Sequence, residues 1–300
     1  MQQEWQTSRL RQLVKNSLPL ALPKAFALIV GSSTSKGVRS PKLWNAAYAA
    51  LSLDGAMFPV DVAADKLSAL LNLLDADHRV VGVAVAAPYK TDLAVLLAGR
   101  LTATAKRCGS INLMSRDSTG RLHGSNTDGV GAIESLREVH PGFVNSQVLV
   151  LGCGGTGRAV IATLVDEAKP SQVTVATRSD KHTDWLAGIG VDECTSDLQG
   201  ADVSRFDVVI NCTTLGWGQQ SESSPLSDDQ IAALHANCTV FDVVYQPDPT
   251  RLLQKAHQRG LRTLSGTRMN LLQAVTGFLT CYPVASREVT LTAMAEAASR

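Results

Sequence analysis

The sequence has almost no net charge, no paired cysteines and no long apolar run. Lys and Arg number 28 against 27 Asp and Glu, a formal net charge of +1. A general nucleic-acid binder would show an excess of basic residues. A chain with so little net positive charge gives no reason to expect binding to an anionic membrane. No two of the six cysteines form a CxxC pair, which excludes a zinc ribbon or a thioredoxin-type motif. No apolar run approaches the roughly 20 residues that cross a bilayer. We therefore expect neither nucleic-acid nor membrane partners, and no metal.

What is present is the composition of a globular protein. Apolar residues make up 45% of the 300 positions and charged residues 18%. This length is on the order of two domains. Cysteines scattered singly suit a reducing compartment. Residues 1–23 hold charged side chains, then a short Leu-rich patch between Pro19 and Pro23, with no small-residue cleavage site. We predict a cytoplasmic protein whose N-terminal extension contains one helix.

Short apolar runs alternate with stretches of helical spacing along most of the chain. This alternation is typical of βαβ units and a mostly parallel sheet, so the predicted fold class is α/β. Two series of units are separated near Asp128. A last helix over 269–278 follows the second series and is predicted to return to the first domain. The predicted strands are 26–30, 56–60, 80–85, 147–151, 173–176, 208–210 and 239–244, the predicted helices include 43–51, 64–75, 157–168 and 250–259, and 219–229 is predicted to be a loop.

A glycine-rich turn lies at the start of the second series. Residues 152–157 satisfy G-x-G-x-x-G, follow an apolar strand and open a helix, as a dinucleotide site requires. The first glycine permits a tight turn, the second lets the backbone approach a pyrophosphate, and the third lets helix and strand pack closely. The N-terminus of the helix then offers free N–H groups to phosphates. The alternative is a purely structural glycine turn.

About twenty residues further on, the residues at the end of the second strand should contact the adenosine ribose of the dinucleotide. The sequence there contains Thr177, Arg178 and Ser179. A guanidinium can bind a 2′-phosphate bidentately, with hydroxyls assisting, which favours NADP over NAD. Asp180 is the opposing observation, because a shift of one residue would bring a carboxylate to the ribose.

Two polar segments are candidates for the chemistry. Lys90 follows a buried apolar run, and Asp128 ends the polar segment at the junction of the two series. A lysine whose pKa is lowered by burial and which a carboxylate orients can transfer a proton. A solvated lysine and an aspartate in an Asx turn are the alternatives that the residues alone leave open.

The ordered motifs resemble the shikimate dehydrogenase family over roughly residues 25 to 285. A single motif of this kind is weak evidence, whereas the whole set in the right order is strong. The matching segments are Ser40-Pro41-x-x-x-Asn45, 88–90, 109–112, 124–128, 152–155, 177–179, 209–216, 242–245 and 266–273.

The resemblance implies a role for each matching residue. Lys90 and Asp128 match the catalytic pair: the lysine takes the proton of a ring hydroxyl while hydride leaves for the nicotinamide, and the aspartate orients it across a cleft between the domains. The resemblance further implies a substrate-binding domain formed by 1–127 and 266–300, an NADP-binding Rossmann domain over 128–265, and a place in aromatic amino acid biosynthesis. The substrate-binding positions are Ser40, Asn112, Tyr245 and Gln273, and the cofactor-binding positions are Gly152, Cys153, Gly154, Gly155, Thr156, Thr177, Arg178, Ser179, Val243 and Gly266.

The sequence departs from the family pattern where the substrate should bind. Family members usually hold the substrate carboxylate with two hydroxyls of a Ser-x-Ser-Pro segment, and Val38 replaces the first of them. The loop 31–41 is one residue longer, so Ser33, Thr34 or Ser35 in another register, or the charges of Lys36 and Arg39, are the alternatives. Ala84 and Ala86 replace the usual Asn and Thr, and Trp44 and Trp217 are predicted to make the cleft bulkier.

We therefore expect an NADP-dependent enzyme with altered substrate recognition, which acts on a small cyclic polyol carboxylate as a monomer or a homodimer. Losing one buried hydrogen bond to a charged ligand costs about 1.5–3 kcal/mol, so we expect weak turnover of shikimate itself. Quinate, an aminated shikimate or another ring acid are the substrate alternatives, and an NAD-dependent quinate dehydrogenase is the cofactor alternative. A ligand-binding sensor on the same fold is the non-enzymatic hypothesis, although a pure binder needs no proton relay.

Overall fold

The computed structural model describes residues 2–178, 183–198 and 202–299. The chain packs as two compact units. Unit 1 comprises Met1–Thr127 with Gln273–Arg300, and unit 2 comprises Asp128–Leu272. The division near the C-terminus falls inside a helix, seven residues after the boundary that the sequence suggests. The predicted domain limits therefore remain a prediction.

The strands of unit 1 form a five-stranded sheet in the order β2-β1-β3-β4-β5. β1, β2 and β3 are parallel, whereas β4 is antiparallel to both of its neighbours. The parallel strands lie close to their predicted positions. The β4–β5 hairpin is an addition that sequence reasoning missed. The strands are β1 (Phe26–Gly31), β2 (Ala56–Asp61), β3 (Val80–Val85), β4 (Leu113–Arg116) and β5 (Leu122–Ser125).

Unit 2 contains a six-stranded parallel sheet in the order β11-β10-β9-β6-β7-β8. Read from the other edge, this is the 3-2-1-4-5-6 order of a Rossmann fold. Strands up to β8 are added on one side of β6, and strands from β9 onward are added on its other side. Folds of this kind bind their ligands at this switch point between β6 and β9. β8 and β11 were not predicted. The strands are β6 (Gln147–Leu151), β7 (Gln172–Ala176), β8 (Glu193–Thr195), β9 (Val208–Asn211), β10 (Thr239–Asp242) and β11 (Arg262–Ser265).

The helices connect these strands and cover the two sheets. In the described ranges 2–178, 183–198 and 202–299, no helix is long and apolar enough to cross a membrane. They are α1 (Gln2–Leu13), α2 (Ser40–Ala50), α3 (Leu67–Ala76), α4 (Lys90–Leu96), α5 (Ala103–Cys108), α6 (Asp128–Val139), α7 (Gly155–Thr163), α8 (Thr183–Ile189), α9 (Asp228–Ala233), α10 (Arg251–Gln258), α11 (Gly266–Cys281) and α12 (Arg287–Ser299).

Several helix limits differ from the predicted ones for local reasons. α7 starts at Gly155 and passes into a π-helical turn over Leu164–Ala168. The predicted loop 219–229 is interrupted, because α9 begins at Asp228 with a capping box between Ser227 and Gln230. The final helix α12 was not predicted.

The N-terminal extension packs on unit 1. Leu10 of α1 is buried, and the Gln6 side-chain amide donates to the Ala76 carbonyl at 3.0 Å. The chain then runs along the edge strand β2, where the Lys15 N–H donates to the Asp61 carbonyl at 2.7 Å. The predicted N-terminal helix is confirmed, and the segment after it covers part of a sheet edge.

Candidate active site

The candidate substrate site of unit 1 lies at one edge of its sheet. The carboxyl ends of β1, β2, β3 and β5 meet at this edge with the start of β4, because β4 runs opposite to the others. Ligands of open α/β sheets bind outside the carboxyl ends of the parallel strands. The sequence-predicted residues Ser40, Lys90 and Asn112 all lie in segments that leave or enter the sheet here.

Lys90 is the first residue of α4 and is half-buried. Its carbonyl accepts a hydrogen bond from the Ile111 N–H at 2.9 Å, which ties the start of α4 to the segment before β4. The neighbouring Tyr89 is buried, and its hydroxyl donates to the Val62 carbonyl at 2.8 Å. The backbone that carries the lysine is thus fixed on both sides.

Asn112 lies in a buried network with Gln273. Its Nδ2 donates to Gln273 Oε1 at 3.2 Å and to Thr127 Oγ1 at 2.9 Å. Thr127 in turn donates through Oγ1 to the Gln273 carbonyl at 3.1 Å. The structure therefore brings together two of the predicted substrate-binding residues, although they are 161 positions apart in the sequence. Thr127 belongs to a motif that the sequence showed, but its positioning role was missed.

Ser40 is the first residue of α2 and is 7% exposed. The loop before it is held by Asp61 at the end of β2, a residue that is not part of the predicted site. Asp61 Oδ1 accepts from Thr34 Oγ1 and from the Ser35 N–H, both at 2.9 Å, and Oδ2 accepts from Ser35 Oγ. Of the alternatives predicted for the missing hydroxyl, two are thus bonded to a carboxylate of the protein itself.

Trp44 does not line a ligand site. It is 2% exposed and packs in the interior of unit 1, with ring centroids 5.1 Å from Phe278 and 6.5 Å from Tyr48. The prediction that this residue makes the cleft bulkier is wrong, because α2 turns it toward α11. Trp217 of unit 2 is 52% exposed.

Asp128 is the first residue of α6 in unit 2 and is 4% exposed. Thr156 Oγ1 in the glycine-rich turn donates to its Oδ2 at 3.3 Å. Lys90 belongs to unit 1 and Asp128 to unit 2. Their pairing therefore stays a prediction.

The glycine-rich turn has the geometry that a dinucleotide needs. Gly152 has φ +94°, which favours glycine, and a Cβ at Gly157 would lie 2.3 Å from the Gly152 carbonyl oxygen. A Cβ at Gly154 would meet nothing within 4 Å, so its backbone faces open space at the N-terminus of α7. This open cradle fits a pyrophosphate. Cys153 is buried, and burial raises the pKa of its thiol to about 11.

The turn after β7 is described only in part. The Thr177 N–H donates to the Thr195 carbonyl at 3.0 Å, and Arg178 is exposed. Ser179 and Asp180 lie outside the described residues. The predicted basic residue is thus exposed at the carboxyl end of β7, where an adenosine 2′-phosphate would bind.

The remaining predicted residues follow the carboxyl ends of β10 and β11. The Val243 N–H donates to the Asn211 carbonyl at 3.0 Å, and a Cβ at Gly266 would lie 2.2 Å from the Val243 carbonyl oxygen. Val243 and Gly266 therefore meet, and the contact requires glycine. Tyr245 follows two residues later and is half-buried.

A second buried network supports this edge of the unit 2 sheet. Asp242, which is fully buried, accepts from Asn211 Nδ2 at 2.9 Å, from the Val244 N–H at 3.0 Å and from Thr250 Oγ1 at 2.7 Å. Burial raises the pKa of Asp242 to about 6, although the three hydrogen bonds oppose that shift. The carboxylate fixes the backbone from which Val243 and Tyr245 extend.

Comparison with known proteins agrees with this geometry. Residues 29–114 match the model of the shikimate dehydrogenase substrate binding domain. A shikimate dehydrogenase (NADP(+)) of Haloarcula marismortui is 36% identical over 251 residues, which cover 80% of this chain and 86% of the relative. One of Symbiobacterium thermophilum is 34% identical over 240 residues, which cover 77% of this chain and 80% of the relative.

Solved structures give the same result for the fold. Shikimate 5-dehydrogenase of Thermus thermophilus, crystallised with NADP(H) and shikimate, superposes with a TM-score of 0.76 at 26% identity. The superposition covers 91% of this chain and 99% of the other. With the two curated relatives above 30% identity over most of their length, this chain belongs to the shikimate dehydrogenase family.

Proposed function

We propose that this chain is an NADP-dependent oxidoreductase. It would catalyse reversible hydride transfer between the nicotinamide and a secondary ring hydroxyl of shikimate or a related cyclic polyol acid. The observation that carries the proposal is the placement of Lys90 and the Asn112–Gln273 pair at one sheet edge, in a chain whose relatives are named shikimate dehydrogenase (NADP(+)). A lysine at such an edge, next to amide side chains, can hold a ring alcohol and take its proton.

The residues of unit 2 fit the dinucleotide. The cradle around Gly154 would hold the pyrophosphate, and Thr177, Arg178 and Ser179 would bind the 2′-phosphate that distinguishes NADP from NAD. Val243 and Gly266 would lie beside the nicotinamide. When bound, the nicotinamide accepts hydride from the ring carbon or returns it.

The catalytic roles follow from what each side chain can donate or accept. In alcohol oxidation, Lys90 as the neutral amine takes the hydroxyl proton while the C–H bond breaks with its electron pair, and the carbon becomes a ketone. In the reverse direction the ammonium returns that proton. Asp128 would orient the lysine and accept from a substrate hydroxyl. Asn112, Gln273, Tyr245 and Ser40 would bind the other ring substituents.

The predictions on assembly and location belong to the same proposal. We propose a cytoplasmic enzyme that acts on a small molecule as a monomer or homodimer. All six cysteines are free, which supports a reducing compartment. Sedimentation velocity would measure the assembly state.

A panel of ring alcohols, assayed with both NADP⁺ and NAD⁺ at the nicotinamide absorbance band, tests the activity. We expect turnover with shikimate or quinate and a preference for NADP⁺. Lys90→Ala should lower kcat at least about a hundredfold, since proton transfer contributes 10²–10⁴. Lys66→Ala, at an exposed lysine of the same unit, is the matched control and should leave kcat unchanged.

The absence of hydride transfer with every alcohol and both cofactors would contradict the proposal. If ring acids then raised the melting temperature without turnover, the chain would be a ligand-binding sensor. The losses of hydrogen-bonding side chains at Val38, Ala84 and Ala86 are the observation that keeps this second function open. Turnover with quinate and NAD⁺ alone would instead identify a quinate dehydrogenase.

A further inference from the structure

A buried, ionised carboxylate lies at the edge of the unit 1 sheet and has no part in the proposed reaction. Asp61 is 7% exposed and ends β2. Burial alone would raise its pKa, but the hydrogen bonds from Ser35 and Thr34 outweigh burial and hold the pKa below its ordinary value. Asp61 is therefore charged at neutral pH.

The carboxylate lies at the end of the sheet where the substrate is proposed to bind. β1, β2 and β3 are parallel neighbours, so Asp61, Gly31 and the segment after β3 lie along one edge. A Cβ at Gly31 would meet Thr34 Cγ2 at 2.6 Å and Ala86 Cβ at 3.1 Å. Asp61 thus bonds to Thr34, Thr34 lies near Ala86, and Ala86 is four residues before Lys90.

Two hydroxyls at this edge, those of Thr34 and Ser35, are already engaged. Each hydroxyl has one hydrogen to donate, and those of Thr34 and Ser35 go to Asp61. Ala84 and Ala86, on β3 and directly after it, have no side-chain donor. A carboxylate arriving from solution would find the hydroxyls of Thr34 and Ser35, two of the alternatives predicted for the missing donor, already bonded to another carboxylate.

The two cations of the loop before α2, Lys36 and Arg39, do not pair with Asp61. Among the described residues of unit 1, Asp61 is not part of an ion pair, whereas Asp65, Asp75 and Asp77 are. Arg39 donates through Nη2 to the Ala298 carbonyl at 3.4 Å, and Lys36 is exposed. A second carboxylate here would therefore be repelled.

We propose that Asp61 determines the substrate class: the preferred substrate is an uncharged ring polyol, or its ketone, that presents a hydroxyl where relatives bind a carboxylate. This inference rests on the proposed hydride transfer. A carboxylate offers about four lone-pair sites, and Asp61 uses three for Thr34 and Ser35. The remaining site can accept from a substrate hydroxyl.

Matched pairs of acid and ester test the assignment. Shikimate and methyl shikimate share a ring and differ in charge, as do quinate and methyl quinate. With NADP⁺, the wild-type protein should show kcat/KM at least about tenfold higher for the ester, since one like-charge contact of this kind is worth a factor of ten or more. Asp61→Asn should reduce that ratio about tenfold through a lower KM for the acid. The KM for NADP⁺ should stay unchanged.

Two further variants separate charge from loop structure. Asp65→Asn neutralises an exposed carboxylate four residues away and should leave the ratio unchanged. Thr34→Val keeps the charge of Asp61 but removes one hydrogen bond, and should retain the preference for the ester. A wild-type preference for the free acid, or an unchanged ratio in Asp61→Asn, would overturn the inference while the proposed function stands. No turnover of either member of any pair would overturn the proposed function, and this inference with it.

Discussion

Asn112 and Thr127 hold each other through both ends of the Asn112 amide. The Asn112 Oδ1 accepts from the Thr127 N–H at 2.8 Å, while its Nδ2 donates to Thr127 Oγ1 at 2.9 Å. The two bonds fix which way the amide faces, and the third bond from Thr127 to the Gln273 carbonyl places α11 against them. Two candidate substrate-binding amides are thus oriented before any ligand arrives.

Thr127→Val should weaken both stability and substrate binding. The variant keeps the shape of the side chain but removes the hydroxyl, which leaves buried polar groups of Asn112 and Gln273 without one partner. We expect the free energy of unfolding to fall by about 1–3 kcal/mol, measured by urea denaturation. The KM for the ring alcohol should rise more than kcat falls, because the amides lose orientation and Lys90 is untouched.

Thr276→Val is the control for this variant. Thr276 lies on the same helix α11, and its buried hydroxyl has no hydrogen-bond partner among the described residues. Replacing it by a methyl group should therefore leave stability equal or slightly higher. If Thr127→Val and Thr276→Val lowered the free energy of unfolding equally, the hydrogen bonds of the Asn112 network would not contribute to stability.

Gly157→Ala should abolish tight binding of the dinucleotide. Its Cβ would lie 2.3 Å from the Gly152 carbonyl oxygen, so the first turn of α7 must move away from the strand that precedes it. We expect the affinity for NADP⁺ to fall at least about tenfold, measured by calorimetric titration, since the phosphate cradle depends on that approach.

Gly188→Ala provides the comparison within the same unit. Gly188 lies in helix α8, and a Cβ there would meet nothing within 4 Å. Alanine in a helix interior is more stable than glycine by roughly 0.5–1 kcal/mol, so this variant should raise the melting temperature and leave NADP⁺ binding unchanged. Retained NADP⁺ affinity in Gly157→Ala would refute the role of the close approach.

Arg178→Ala should change cofactor choice and leave the chemistry intact. Arg178 is exposed at the carboxyl end of β7, where its guanidinium can bind a 2′-phosphate that NAD⁺ lacks. We expect the KM for NADP⁺ to rise about ten- to a hundredfold and that for NAD⁺ to change less than twofold. Arg251→Ala, at the exposed start of α10, should affect neither. A parallel rise for both cofactors would assign Arg178 a structural role.

The sequence was most informative where backbone geometry permits one residue type. A positive φ at Gly152 and the contact of Gly157 with its carbonyl both require glycine, so the turn could be located without a structure. The strands β4 and β5 could not be located from the sequence, because each has four residues and includes Ser, Arg, His or Gly in place of an apolar run. Short strands of this kind form through pairing with β3, which local sequence does not show.

Side-chain direction marks the other limit of prediction. Leu43, Trp44, Ala47 and Tyr48 are all buried, and their spacing is that of one helical face. This periodicity alone would place Trp44 in the core, whereas the comparison with a family motif suggested the ligand site. The bond from Thr34 to Asp61 spans 27 positions and depends on the register of β1 with β2, so no local pattern could reveal it.

Asp242→Asn should make the stability of the protein less dependent on pH. Burial, as the largest cause, raises the pKa of Asp242 in the folded state from 3.8 to about 6. The folded protein therefore binds more protons than the unfolded chain between about pH 4 and 6. This group lowers the free energy of unfolding as pH rises through that window, and its charged form opposes folding above pH 6.

The asparagine variant removes that charge and can keep the hydrogen bonds. Its Oδ1 can accept from Asn211 and the Val244 N–H, and its Nδ2 can donate to Thr250 Oγ1, which accepts as well as donates. A difference of about two pH units, at about 1.4 kcal/mol each, sets an upper limit of about 3 kcal/mol on the gain at pH 8. Urea denaturation at pH 4.5, 6 and 8 should show the stability of Asp242→Asn relative to wild type rising with pH. Asp54→Asn, at an exposed site, should show no such trend. A constant difference between Asp242→Asn and wild type would mean that Asp242 titrates alike in the folded and unfolded chains.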